Sequence, residues 1–171
     1  MVRHYVLPVR PIRVRAAYSK RQNRREAAMI KKFVARYMAR KPELEAIFSK
    51  TYPAGYEDVV KAVISILYPG DDDDDDRDHE VPDPARIQEI NDGDYQGTLV
   101  YVIAAKGYQP SVYWCVAVSY GSCSHCDTLE GIREDGPFGG DEPTSGQVGD
   151  YMTLALHIVQ GIRLMFDDDL V

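Results

Sequence analysis

Cysteine is scarce in this chain of 171 residues: there are three, beside a single tryptophan and four phenylalanines. An odd, low number of thiols disfavours a secreted framework of paired bridges, so a reducing compartment, the cytoplasm, is expected. No apolar run approaches the length of about eighteen residues that a membrane span needs. The first residues are basic but lack an apolar h-region and do not read as a secretory signal. The chain has no Gly-x-Ser-x-Gly elbow for a nucleophilic serine, and Gly136 to Gly140 lack the lysine of a phosphate-binding loop. Acidic residues are rare in one region only. Residues 1–50 hold 3 Asp/Glu against 14 Lys/Arg, and residues 51–171 hold 24 against 6, so net charges of +11 and −18 underlie the overall −7.

An apolar fraction of 44% suffices for a core in a chain of this length. Residues 1–18 read as a basic arm whose Pro8 and Pro11 allow at most an edge strand, and residues 19–171 as a single domain. Ser19 to Gln22 has the form of a capping box, and Ile30, Phe33, Val34 and Tyr37 follow at helical spacing. Pro42 is expected to end that helix and begin a short second one. Tyr56, Val59, Val60, Val63, Ile64 and Leu67 predict a helix over about 55–67, closed by Pro69-Gly70. Six consecutive aspartates, Asp71 to Asp76, predict a solvated acidic loop over 70–83. A short helix is expected over Pro84 to Asn91.

Leu99 to Ala105 and Val112 to Ser119 are rich in β-formers. They predict an antiparallel hairpin over about 98–119 with Trp114 buried. Both strands are apolar on both faces, so helices are expected to cover much of each face. Residues 134–149 read as a glycine-rich loop. Asp150 then caps a final helix striped by Tyr151, Leu154, Ala155, Ile158, Val159, Ile162 and Met165 and ending near Asp167. The fold class is α+β: a small antiparallel sheet packed with four or five helices.

All three cysteines fall between Tyr113 and Asp127. Cys123 and Cys126 have the two-residue spacing of a zinc knuckle, and Gly121-Ser122 allows the turn that would aim both sulfurs at one ion. Cys115 and His125 are the nearest candidates to complete a metal site. The same pair can act as a redox dithiol, which Asp127-Thr128-Leu129-Glu130 would place at a helix N-terminus, or can pack under the sheet as small apolar residues. Packing is the plain expectation, with no cofactor; zinc is the alternative.

Asp94-Tyr95-Gln96-Gly97 precedes the hairpin, and its second strand runs into Gly121-Ser122-Cys123-Ser124-His125-Cys126-Asp127. Over residues 90–132 this resembles a group of small uncharacterised proteins, many from bacteriophages and others bacterial, with a DYQG turn followed by a GSCSxCD motif. His125 stands where those proteins usually have glycine. The resemblance implies a compact α+β domain and phage-like origin, in the cytoplasm of an infected host. It singles out Tyr95, Gly97, Gly121, Ser122 and Asp127 as turn residues and carries no activity to transfer.

The other candidate site is basic. Arg10, Arg13, Arg15, Arg21, Arg24 and Arg25 offer guanidinium groups to an acidic macromolecule, nucleic acid or an acidic protein surface. The acidic body of the same chain is a competing destination. The sequence therefore predicts a non-enzymatic binding protein, an accessory or host-interaction factor of a phage. The alternative is a metal- or thiol-dependent enzyme centred on Cys123 and Cys126.

Overall fold

In the computed structural model, which describes residues 20–68, 81–91, 93–107, 109–134 and 142–166, helices and strands share one core in an α+β fold. Along the chain come α1 (Lys20–Phe48), α2 (Tyr56–Leu67), β1 (Pro82–Asn91), β2 (Gly97–Ala105), β3 (Val112–Tyr120), α3 (Thr128–Glu134), α4 (Ser145–Gly161) and β4 (Arg163–Phe166). The basic arm 1–18 and residues 69–80 of the acidic loop lie outside the described residues.

Pro42 does not end the first helix. α1 continues through it for 29 residues. Phe33, Tyr37, Leu44 and Phe48 fall on one face and are buried, whereas Pro42 points outward. A proline inside a helix costs about 3 kcal/mol. Burying Leu44 and Phe48 beyond it returns about 1.5–3 kcal/mol each, so packing outweighs the lost N–H. Arg40 grips Glu43 with two guanidinium bonds of 2.8 and 2.6 Å across the same turn. The Tyr37 hydroxyl donates to the Met152 carbonyl at 2.7 Å and fastens α1 to α4.

The predicted α2 forms as its stripe requires, with Tyr56, Val59, Val60, Val63, Ile64 and Leu67 all buried. The segment expected as a short helix is instead strand β1, and the acidic loop accordingly ends before Pro82. Pro84 suits a helix start by local preference alone, but Gln88, Glu89, Ile90 and Asn91 find backbone partners in Val102, Tyr101, Val100 and Leu99. The ladder decides the outcome.

The expected hairpin is the centre of a wider sheet, ordered β1-β2-β3-β4 and antiparallel throughout. Tyr101, Ile103 and Ala105 of β2 and Val112, Trp114 and Val116 of β3 face the helices and are buried. The second face is not covered to match. Val100, Val102, Tyr113 and Cys115 are half-buried there and Ala117 is exposed. Among the described residues helices pack on one face, which corrects the two-sided burial expected from composition.

The last helix starts earlier and stops earlier than predicted. Thr144, not Asp150, caps it, in a reciprocal box with Gln147. The predicted stripe from Tyr151 to Val159 is buried as expected, but the helix ends at Gly161. Met165 belongs to β4, where it pairs with Tyr113.

Candidate functional site

The turn that joins β3 to α3 is built around two glycines and one buried acid. A Cβ at Gly121 would collide with the Cys126 side chain and lie 2.7 Å from the Cys126 carbonyl oxygen. A Cβ at Gly131 would lie 2.8 Å from the Ser124 carbonyl oxygen. The loop backbone thus rests on bare backbone on both sides, which explains each glycine physically. Within the loop, the N–H groups of Cys126 and Asp127 both donate to the Cys123 carbonyl at 2.8 Å.

Asp127 is 6% exposed and fully engaged. Its Oδ1 accepts from the Tyr56 hydroxyl and from the Glu130 N–H, both at 3.0 Å, and its Oδ2 accepts from the Gly121 N–H at 3.2 Å. It therefore caps α3, closes the turn and ties both to the start of α2. The Tyr56 hydroxyl completes the set by accepting from the Leu129 N–H at 3.1 Å. Tyr56 lies 71 residues from Asp127 in sequence, and no local motif pointed to it.

Cys123 and Cys126 are joined by a disulfide, with Cα atoms 5.3 Å apart. Both residues are exposed. They do not pack under the sheet, because the turn carries them past its end and its inner side is already filled by Asp127. Nor do they ligate a metal. Cys115 stands mid-strand opposite Val102, on the half-covered face of the sheet, and His125 is exposed. Among the described residues no group of three or more His, Cys, Asp or Glu side chains could hold an ion. The four candidate ligands Cys123, Cys126, Cys115 and His125 are thus not assembled into one site.

The two segments that carry the family resemblance meet in space. Gly97 pairs with Tyr120, so the Asp94–Gly97 turn and the cysteine turn occupy the same end of the sheet. The Tyr120 hydroxyl and the Gly93 N–H both donate to the Asn91 side-chain oxygen, at 2.8 and 3.0 Å. Tyr95 projects from this end at 81% exposure, and Ser122 is exposed beside the pair in sequence.

The cluster has a pH signature. Burial pushes the Tyr56 hydroxyl up to about 12, with the neighbouring Asp127 charge adding to the effect and the Leu129 N–H opposing it. Burial and Glu89, which accepts from its hydroxyl at 2.8 Å, raise Tyr101 in the same direction. An unfolded tyrosine ionises near pH 10, so the unfolded chain gains stability first as the pH climbs. The contribution of Tyr56 to stability is whole below pH 10 and is lost between 10 and about 12. The urea midpoint should fall steeply across that window, and Tyr56→Phe should start lower and fall less. A wild-type midpoint that is flat from pH 10 to 12 would contradict the burial of these hydroxyls.

The basic candidates divide. Arg10, Arg13 and Arg15 lie outside the described residues, as does the side chain of Arg21. Arg24 and Arg25 are exposed on α1, and so are Lys31 and Lys32, which the candidate set did not include. Arg24 and Lys31 are seven residues apart and share a face, separated by the exposed Ala28. Glu26, the only acid between residues 20 and 42, turns the other way. Its Oε1 is buried and 3.7 Å from Arg163 of β4.

No helix among the described residues is long and apolar enough to cross a membrane. No protein-family model, curated protein or solved structure matches the chain.

Proposed function

We propose that this is a non-enzymatic binding protein that docks an acidic macromolecule on the outer face of α1. The observation that carries the reading is the separation of charge on that helix. In its N-terminal half Arg24, Arg25, Lys31 and Lys32 are exposed, while Glu26, the one carboxylate of the helix before Glu43, is withdrawn toward Arg163. Exposed Ala27, Ala28 and Ala35 lie between the cations and keep the face low. A polyanion can therefore approach the N-terminal half of the helix among cations, away from the exposed Glu43 and Glu45 near its C-terminal end. In sequence, Arg3, Arg10, Arg13 and Arg15 extend the same charge. The resemblance to small phage proteins suggests a host component, or the phage's own nucleic acid, as the partner.

Titration of the full chain against labelled duplex DNA and RNA over a series of salt concentrations tests this reading. Binding should weaken steeply as salt rises. Replacing Arg24, Arg25, Lys31 and Lys32 together with glutamine should reduce the slope of log K against log salt by about 3–4 on duplex DNA. Because all four side chains are exposed, the thermal stability of the variant should stay near that of the parent. Absence of binding to either nucleic acid at low salt would eliminate nucleic acid as the partner. An unchanged slope in the variant would remove α1 from the interface.

A further inference from the structure

We infer that the Cys123–Cys126 disulfide is a thiol-exchange site, open to dithiol reductants and to disulfide partners, and not a structural staple. The pair is open to solvent. Both cysteines are exposed, as are Ser122 before them and His125 between them. A thiolate can therefore reach a sulfur without the fold opening, which exchange chemistry requires.

The turn, moreover, does not need the bond. The Cys123 carbonyl already accepts two N–H groups. Gly121 and Gly131 seat the backbone on either side, and Asp127 anchors the far end with three hydrogen bonds. The cysteines are only three positions apart. A cross-link that short removes little freedom from an unfolded chain, and the effect of a disulfide on stability grows with the loop it closes. Opening the bond leaves two thiols held side by side, poised to close again.

The thiolate of a dithiol attacks one protein sulfur, forming a mixed disulfide and releasing the other cysteine as a thiol. The second thiol of the reductant then attacks its own sulfur in that mixed disulfide. The reductant leaves as a disulfide, and the protein has gained two electrons and two protons. With an oxidised partner the same sequence runs in reverse, and the paired protein thiols reduce the partner's disulfide.

Native-state alkylation of the full chain tests the inference. Oxidised protein is treated with dithiothreitol without denaturant, and cysteines are mapped by peptide mass spectrometry. Far-UV circular dichroism and melting are followed in parallel. Cys123 and Cys126 should both become alkylated while the spectrum holds and the melting temperature falls by no more than about 5 °C. In a parallel sample that is reduced but not alkylated, oxidised glutathione should restore the intramolecular bridge without a lasting glutathione adduct in the wild type. Cys126→Ser should trap that adduct on Cys123. Labelling only after the protein unfolds would overturn the inference, and so would a collapse of the melting temperature on reduction. A stable adduct on the wild type would do the same, since it would mean that the thiols are not held together.

Discussion

Trp114→Ala should lower the free energy of unfolding by about 3–5 kcal/mol. The indole is 3% exposed and sits between Ile103 and Leu164 in the register of the sheet, facing the helices. Truncation leaves a cavity lined by rigid strand and helix residues that cannot close over it. The indole N–H has no hydrogen-bond partner among the described residues, so part of the native burial is itself unfavourable. Trp114→Phe removes that donor while keeping much of the ring, and should cost less than half as much. Urea denaturation of the two variants checks both statements. A loss below about 1 kcal/mol for alanine would mean that the central strand is not buried.

The second large effect belongs to Asp127. Asp127→Ala deletes the cap of α3 and leaves the Tyr56 hydroxyl and the Gly121 N–H without their acceptor. A lost cap costs about 0.5–2 kcal/mol, and each buried donor left unpaired adds about 1–3 kcal/mol. Because the groups share one site, their effects will not simply add; a total of about 3–4 kcal/mol is expected. Asp127→Asn keeps the shape and one acceptor oxygen, and should recover about half of the loss. The same variants should loosen the turn, so that reduced Cys123 and Cys126 close more slowly. If alanine costs less than about 1 kcal/mol, the acid is not the anchor of the turn.

Sequence periodicity revealed α2, the β2–β3 pair and the stripe of α4, because their apolar positions repeat at the spacing of the element that buries them. It failed where tertiary structure overrode a local signal. Pro84 imitates a helix start, yet β1 exists because β2 offers it a ladder. Pro42 reads as a stop, yet Leu44 and Phe48 draw the helix past it. The capping box of Thr144 and Gln147 lies inside the segment read as a glycine-rich loop, where the expectation fell on Asp150 instead. The cysteine motif marked the right turn, but its environment was out of reach. The exposure of the pair follows from the turn being anchored from beneath by Asp127, and the partner Tyr56 is distant in sequence. Arg24 and Arg25 were legible as charge. The inward turn of Glu26, which leaves exposed cations along the N-terminal half of α1, depends on Arg163 in a strand that was not foreseen.

The order of the sheet bears on how the protein meets its own kind. Among the described residues the sheet leaves both margins, β1 and β4, unpaired, and an unpaired strand can template the addition of another chain. Here each margin is a poor template. β1 opens with Pro82 and Pro84, which have no N–H to offer, and its register is interrupted between Pro82 and Ile87. Arg86 and Glu89 follow with charge. β4 spans four residues and is followed in the sequence by Asp167, Asp168 and Asp169. Proline on one side and shortness with like charge on the other discourage strand-to-strand polymerisation along the margins of this half-covered apolar sheet.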